Sequence, residues 1–206
     1  MRFLKRASTG WLAIFPAVIS PMLMSCTAVS IPMFLGVVPY NFHVIEEGQA
    51  YRSGQPTPET LTSTIETFGI RTVVNLRGYN PDKEWYDAEA AVCEAMGVTL
   101  ANHAVSKQSL PSAELLSAII NTLQTADYPI LIHCQGGANR TGAISAIYRI
   151  LILGHDKADA MAELSPLYLH FREYAPCMDK LVEIFETDPA WLDEYAAMVD
   201  EIVCTP

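Results

Sequence analysis

Charged residues are missing from one long stretch of this chain, because residues 7–42 contain no Asp, Glu, Lys or Arg. Arg2, Lys5 and Arg6 precede that stretch. A basic start followed by an apolar run is typical of export signals and membrane anchors. Under the positive-inside bias the basic end stays in the cytoplasm. We therefore predict a membrane-targeting segment over residues 1–40 and a folded domain over residues 41–206 on the extracytoplasmic, periplasmic side.

Two versions of this segment remain open. Residues 23–26, Leu-Met-Ser-Cys, resemble the lipobox of bacterial lipoproteins, in which the Cys, here Cys26, is acylated and becomes the mature N-terminus. Residues 11–35 are also long enough for one uncleaved span. Three prolines count against a regular span, whereas the apolar residues 27–40 count against the polar tether usual after a lipobox. We prefer the lipobox.

Positive charge is scarce after His43, where ten Lys and Arg face 23 Asp and Glu, a balance of −13. Nucleic acid would repel a domain with this negative charge, so we expect no nucleic-acid partner. An anionic substrate would need a pocket that is locally basic. A Lys or Arg near a candidate site is therefore a stronger indication of anion binding than it would be in a basic protein.

Paired metal-ligand spacings are also absent, since the five Cys and five His show no such pattern. The odd number of cysteines argues against a full disulfide set. Cys93 lies in a helical apolar pattern and is expected in the core. Cys177 and Cys204 could pair if the compartment is oxidising, which the sequence leaves open.

No internal repeat, low-complexity tract or linker divides residues 41–206. Short β-branched runs alternate with helical patterns, which predicts a central, mostly parallel sheet with helices on both faces, an α/β fold. After Gly154 the pattern is helical throughout, and its aromatic residues are expected in the core. The predicted strands are 42–45, 50–53, 72–76, 98–105 and 130–132, and the predicted helices are 58–68, 83–96, 112–123 and 141–154.

The stretch from Ile130 to Gly142, ILIHCQGGANRTG, is the most informative part of the sequence. A short buried strand ends at Cys134, a glycine-containing loop follows, and a helix begins near Thr141. Backbone N–H groups at such a helix N-terminus form a nest for an anion. The loop therefore predicts a phosphate-binding site.

Cys134 lies where that same positive field would stabilise a thiolate, because helix N-termini and nearby cations lower a thiol pKa. Arg140 can close the loop with a planar fork that meets two phosphoryl oxygens. A buried structural cysteine is the commonest fate of a free Cys. It would not explain two glycines and an Arg-Thr-Gly around it.

These residues carry a resemblance. His133-Cys134, five residues and Arg140-Thr141-Gly142 are similar to the H-C-x5-R-S/T-G signature of cysteine-dependent protein phosphatases, and Gly137 is spaced as in the dual-specificity branch. Residues 51–56, Tyr-Arg-Ser-Gly-Gln-Pro, and 73–77, Val-Val-Asn-Leu-Arg, resemble the opening motifs of bacterial members. Those members are related to the atypical dual-specificity phosphatases of plants and fungi.

The resemblance implies roles for individual residues. Cys134 would attack phosphorus and form a phosphocysteine, Arg140 would bind the transferred oxygens, Thr141 would stabilise the leaving thiolate, and His133 would orient the loop. No metal or cofactor is implied. The residues that would surround the phosphoryl group are Gln135, Gly136, Gly137, Ala138 and Asn139.

Arg77 and Lys107 are candidate pocket-rim cations. Both follow predicted strands, and the carboxyl ends of parallel strands form the edge where open α/β sheets bind ligands. They could share that edge with Arg140. Solvated surface charges are the equally ready alternative.

The usual general acid is missing. Phosphatases of this class carry an Asp on a loop roughly thirty residues before the Cys, and here residues 104–110 contain Lys107 and no carboxylate. Some bacterial relatives carry Asp just before the loop Arg, where this chain has Asn139. Because an acid contributes typically ~10²–10⁴-fold, we expect a leaving group already stable as an anion, as in phosphotyrosine or a phosphoanhydride. Alternatively, Asp82 or Asp87 supplies the proton.

We therefore predict a phosphomonoester hydrolase of the tyrosine or dual-specificity type. Its expected partner is a phosphorylated protein or small molecule. A catalytically weak phospho-binding pseudophosphatase and a phosphatase of inositol phosphates or pyrophosphates are the alternatives. Rhodaneses and arsenate reductases also use a Cys loop, but they lack the combined His-Cys and Gly-x-x-Arg-Thr-Gly pattern.

Overall fold

The computed structural model describes residues 38–205. Five short strands form one sheet in the spatial order β1-β2-β5-β3-β4. The first pair is an antiparallel hairpin and the remaining pairs are parallel. The strands are β1 (His43–Glu46), β2 (Ala50–Ser53), β3 (Thr72–Asn75), β4 (Thr99–Asn102) and β5 (Ile130–His133). The predicted mostly parallel sheet is confirmed, and the strand that precedes the cysteine lies at its centre.

Seven α-helices accompany the sheet among the described residues. Local signals set several of their ends: Thr57 caps the first helix with a reciprocal capping box, and Ser112 accepts from the backbone N–H of Leu115 at the start of the third. The helices are α1 (Pro58–Phe68), α2 (Glu84–Met96), α3 (Ala113–Thr125), α4 (Asn139–Leu151), α5 (Lys157–Ala160), α6 (Pro176–Ile184) and α7 (Trp191–Met198).

Hydrophobic residues of adjacent strands divide between the two faces of the sheet. Val73 pairs with Leu131, and both belong to a cluster with α1 and α2. Val74 pairs with Ile132, and both belong to a larger cluster with α3, α4, α6 and α7. Successive side chains of a strand point to opposite faces, so helices cover both faces, as predicted.

Several predicted boundaries were wrong. β4 ends at Asn102, three residues before the predicted end. α4 begins at Asn139 rather than Thr141 and ends at Leu151, three residues before the predicted end at Gly154. The buried residues of α2 are Tyr86, Glu89 and Cys93. The expected core position of Cys93 is confirmed.

The part after α4 is helical but broken. Besides α5, α6 and α7 it contains four one-turn 3₁₀ segments. Phe171 and Tyr174 are exposed, contrary to the expected aromatic core, whereas Phe185 and Trp191 are buried.

Cys177 and Cys204 form a disulfide, which settles a pairing that the sequence left open. Within residues 38–205 no helix combines the length and the hydropathy that crossing a membrane requires; the predicted targeting segment lies almost wholly outside these residues.

Candidate active site

The loop between β5 and α4 lies against the end of β2. Gly137 has φ 68°, and a Cβ built there would come within 2.5 Å of the Gly54 backbone nitrogen and 2.7 Å of the Ser53 carbonyl oxygen. Neither the backbone conformation nor the space admits a side chain. Glycine at this position lets the loop fold tightly around Cys134.

Arg52 holds the same loop from beneath. Its guanidinium is fully buried and donates to the carbonyls of Gly137 at 2.8 Å and Ala138 at 3.4 Å. It is balanced by Glu163, whose carboxylate oxygen lies 2.5 Å from Nη1. With these two carbonyls occupied, the N–H groups of the loop are the polar groups left to meet an anion.

A cavity of about 570 Å³ opens above the loop. It brings together most of the predicted site, with β5–α4 residues on one side and the loop after β4 on the other. Its lining residues are Val105, Ser106, Lys107, Gln108, Cys134, Gln135, Gly136, Ala138, Asn139 and Arg140. Lys107 thus lies on the same cavity as Arg140.

Arg140 is anchored by two strand ends. Its Nη1 donates to the carbonyls of Leu76 and Val105, each at 3.2 Å. These residues follow β3 and β4, so the sheet fixes the guanidinium at its carboxyl edge. Among the described residues no acceptor occupies the rest of the fork, which leaves a planar pair of donors for a bidentate oxyanion.

Cys134 is buried at this cavity, and its environment favours the thiolate. Burial alone raises the pKa of the Cys134 thiol, but the Arg140 charge, the Thr141 hydroxyl and the backbone N–H groups of Thr141 and Gly137 lower it by more. The net pKa is lower than that of an ordinary thiol. Within the described part of the chain, the buried Thr141 hydroxyl has no hydrogen-bond partner, so it is free to interact with the sulfur whose pKa it lowers. The role of Thr141 in stabilising the leaving thiolate stays a prediction.

His133 lies below the loop and is completely buried. Its Nδ1 is 3.3 Å from the Cys134 carbonyl oxygen, and its Nε2 is 2.6 Å from Oε1 of Glu89 on α2. Glu89 is itself buried. The predicted orienting histidine is thus joined to a carboxylate that the sequence analysis did not identify.

Arg77 is near this site without lining the cavity. Its guanidinium lies over the Trp85 ring, 3.3 Å from the centroid, and its Nη1 donates to Gln55 at 2.7 Å. Burial and the neighbouring charge of Arg140 lower the pKa of Arg77. The side chain is therefore close enough to feel Arg140 but is held by α2 and the loop after β2.

Asn139 has a second set of partners behind the cavity. Its Oδ1 lies 2.8 Å from Nδ1 of His170, and Nε2 of that ring lies 2.8 Å from the Asp179 carboxylate. Both His170 and Asp179 are buried. The pair fixes the side chain of Asn139, which lines the cavity.

Among residues 38–205, no carboxylate lines the cavity. Asp82 and Asp87 are exposed, and Asp82 occupies a turn with φ 66°. The structure does not bring either of them to Cys134, so the role suggested for Asp82 stays a prediction.

The family comparison agrees with this geometry. The model of a family described as DSP-PTPase phosphatase fused to NAD+ kinase matches residues 32–173. The chain belongs to this DSP-PTPase family. The resemblance to dual-specificity cysteine phosphatases read from the loop is thereby confirmed.

Individual DSP-type relatives match a shorter part of the chain. The dual specificity protein phosphatase TpbA of Pseudomonas aeruginosa is 34% identical over 116 residues, 55% of this chain and 49% of TpbA. Inositol diphosphatase DSP3 of Arabidopsis thaliana is 28% identical over 116 residues, 54% of each chain. The chain therefore spans about half the length of the curated relatives it matches.

Solved DSP-type structures share the fold. The core catalytic domain of the PP-IP phosphatase SIW14 from S. cerevisiae, in complex with citrate, superposes with a TM-score of 0.61 at 22% identity. That match covers 82% of this chain and 99% of the SIW14 chain. TpbA in complex with pTyr superposes with a TM-score of 0.57 at 24% identity, covering 76% and 90%.

The residues that sequence reasoning missed in this DSP-type domain support the loop from behind. Arg52 lies in the Tyr-Arg-Ser-Gly-Gln-Pro motif, whose pattern indicates a family resemblance but no physical role for its arginine. Glu89 follows Trp85 by four positions, so a carboxylate on a helix face next to apolar residues was the available signal. His170 and Asp179 lie in the irregular C-terminal part, where no periodic pattern marks them.

Proposed function

We propose that this protein is a cysteine-dependent phosphatase that acts through a phosphocysteine intermediate. The observation that carries the proposal is Cys134, whose pKa is lowered at a cavity where Arg140 presents an unoccupied fork. Family membership supports the same chemistry.

In the first proposed step, the Cys134 thiolate attacks phosphorus and the bond to the leaving oxygen breaks. Arg140 and the loop N–H groups stabilise the three transferred oxygens, and the leaving group departs with the electron pair of the broken bond. In the second step, water attacks the phosphocysteine, inorganic phosphate leaves, and the thiolate is restored with the Thr141 hydroxyl beside it. Solvent supplies and receives the protons.

The cavity also favours one class of substrate. Because no carboxylate of the described chain lines it, an alkyl phosphate would have to expel an unprotonated alkoxide. Aryl phosphates such as phosphotyrosine and phosphoanhydrides expel stabler anions. Lys107 beside Arg140 favours substrates that carry more than one negative charge, which agrees with the names of the inositol diphosphatase relatives.

The test is phosphate release by the full chain in detergent from an aryl phosphate, phosphotyrosine and phosphoserine peptides, and an inositol pyrophosphate. We expect release from the aryl and anhydride substrates and at least about 10²-fold slower release from phosphoserine. Cys134→Ser should abolish all of it. Absence of any Cys134-dependent release would leave a phospho-binding module instead.

We further propose that residues 1–40 hold the domain at a membrane on the extracytoplasmic side. Support comes from the uncharged stretch after Arg6 and from the disulfide between Cys177 and Cys204, a bond typical of oxidising compartments. Fractionation of expressing cells tests it, with Cys26→Ser separating a lipid-modified cysteine from an uncleaved anchor. Recovery of the native chain in the cytosol would reject the proposal.

A further inference from the structure

His170 and Asp179 form a buried pair that takes no part in the phosphatase steps described above. His170 is 2% exposed and Asp179 is 4% exposed. Nε2 of the ring lies 2.8 Å from the Asp179 carboxylate, and Nδ1 lies 2.8 Å from Oδ1 of Asn139. Among residues 38–205 the ring has no other hydrogen-bond partner. The pair therefore reaches the catalytic loop through Asn139, which lines the cavity.

A tight turn delivers His170 to this position. Leu169 has φ 63°, a left-handed conformation that is uncommon for a bulky side chain. The backbone N–H groups of Leu169 and His170 donate to the carbonyls of Pro166 and Ser165, around a one-turn 3₁₀ segment. The Leu169 side chain is exposed, so core packing does not account for the turn. Such strain persists where the surrounding structure requires it, and its result here is a ring that meets Asn139.

Asn139 is the first residue of α4, where backbone N–H groups lack helical acceptors. The first helical hydrogen bond runs from the N–H of Gly142 to the carbonyl of Ala138. Within the described residues, the N–H groups of Asn139 and Arg140 have no acceptor, and both residues line the cavity. These N–H groups are donors that a bound oxyanion would meet. Their direction depends on how the first turn of α4 is held.

The loop before α4 is held by contacts made outside the cavity. Asn41 and Arg52 donate to the carbonyls of residues 136–138 at distances of 2.8–3.4 Å. His170 then holds the side chain of Asn139, the next residue along the chain. This last contact does not depend on which ring nitrogen is protonated, because the amide offers both a donor and an acceptor. Four consecutive residues are thus fixed from the side away from the substrate.

We propose that His170 and Asp179 are positioning residues, which hold Asn139 and with it the first turn of α4 so that its free N–H groups meet the phosphoryl oxygens. Neither His170 nor Asp179 lines the cavity, so both act through Asn139. Asp179 lies in α6, which packs against α4 in the larger hydrophobic cluster. The C-terminal part thereby supports the catalytic loop. This inference deepens the proposed function and rests on it, because the N–H groups serve the same oxyanion.

Two substitutions of His170 separate its two contacts. In His170→Gln the side-chain amide reaches Asp179, but no polar atom remains at the position of Nδ1, so the contact with Asn139 is lost. In His170→Asn the amide takes the position of Nδ1, so the contact with Asn139 is kept. Both are compared in the full chain with Asn139→Ala and with the double variant of His170→Gln and Asn139→Ala. Glu183→Gln is the control, since Glu183 is exposed on α6.

The test measures kcat/KM for an aryl phosphate and, by calorimetry, the Kd of tungstate, an oxyanion with the shape of phosphate. We expect His170→Gln and Asn139→Ala each to lower kcat/KM and to weaken tungstate binding by about tenfold, the typical effect of one lost hydrogen bond. His170→Asn should recover most of that loss, and Glu183→Gln should match the native chain. The double variant should lose no more than Asn139→Ala, because His170 acts through that side chain.

Losses that multiply in the double variant, or native tungstate affinity in His170→Gln, would overturn the proposal. A merely structural role would make the losses follow the melting temperatures of the variants instead of the contact with Asn139. Should neither His170 variant fold, Asn139→Ala decides alone, and an unchanged tungstate affinity would reject the proposal. Tungstate binding needs no turnover, so a chain that binds the anion without hydrolysing a phosphate rejects the phosphatase function and still tests this inference.

Discussion

At the scale of single residues, the site depends on the shape of Arg140 as well as its charge. One amino group is fixed by the carbonyls of Leu76 and Val105, so the remaining donors are held in one plane. A lysine would keep the charge and lose both the anchors and the fork. The sheet edge therefore fixes the orientation of this side chain before substrate binds.

We predict that Arg140→Lys lowers kcat/KM for an aryl phosphate by roughly 10²-fold, the cost typical of losing an oxyanion donor. Steady-state kinetics of the purified chain measures it. Arg71→Lys is the matched control, because Arg71 is exposed just before β3, at the opposite end of the strand. Equal rates for the two variants would contradict the assigned role of Arg140.

Cys134, Arg140 and Lys107 line one cavity, as expected from the sequence, because Cys134 and Lys107 follow parallel strands whose ends lie at one edge and Arg140 lies at the start of the helix after that edge. The sequence could not place Arg77, which Trp85 and Gln55 draw away from the cavity. Those contacts join three separate segments, so they cannot be predicted from the residue spacing within any one segment. Glu89 was missed for a related reason, since a lone glutamate in a helix usually faces solvent.

At the scale of elements, the turn from β5 into α4 is shaped by its contact with β2. Gly137 touches Ser53 and Gly54, whereas Gly136 beside it has open space around an added Cβ. Only one of the two neighbouring glycines is therefore required by packing. The sequence alone does not reveal which of the two glycines packing requires, because the difference arises from contacts with a strand about eighty residues earlier in the chain.

Gly137→Ala should destabilise the folded chain by about 2 kcal/mol or more, since a side chain there is strained in φ and meets backbone atoms. Gly136→Ala should stay within about 0.5 kcal/mol of the native chain. Thermal or denaturant unfolding measures both. Equal stability of the two variants would contradict the packing of this turn.

At the scale of the whole molecule, the α/β core was predictable and the C-terminal part was not. The core follows from β-branched runs and capped helices that agree with one another. Beyond α4 the chain is a series of short segments joined by contacts such as His170 with Asp179, which no periodic pattern reveals. For the same reason, the sequence did not predict that Phe171 and Tyr174 are exposed.

The disulfide joins two segments of this C-terminal part and lies beside the cavity. Cys177 lies 3.2 Å from the carbonyl of Gln108, a cavity-lining residue, and the bond closes a separation of 27 residues. We predict that a reductant lowers stability by about 3 kcal/mol and the melting temperature by roughly 6–12 °C. Calorimetry with and without dithiothreitol measures the change.

The double variant Cys177→Ser with Cys204→Ser should melt at the same temperature as the dithiothreitol-treated native chain. Dithiothreitol should not change the melting temperature of this variant. A native chain whose melting temperature is unaffected by dithiothreitol, alongside an equally stable double variant, would show that the bond does not support the fold.

The central claim is that the loop keeps Cys134 ionised, and Cys93 offers a control within the same molecule. Burial and Glu89 raise the pKa of Cys93 to about 12, whereas the pKa of Cys134 is lowered. The decisive measurement is iodoacetamide labelling of both cysteines between pH 5 and pH 9, quantified by mass spectrometry of the native, non-reduced chain. We predict that the midpoint of Cys134 labelling lies below that of an ordinary thiol, that labelling declines as acid protonates the thiolate, and that Cys93 is unlabelled throughout. Labelling of Cys134 that keeps rising through pH 8.5, as for an ordinary thiol, would contradict the account.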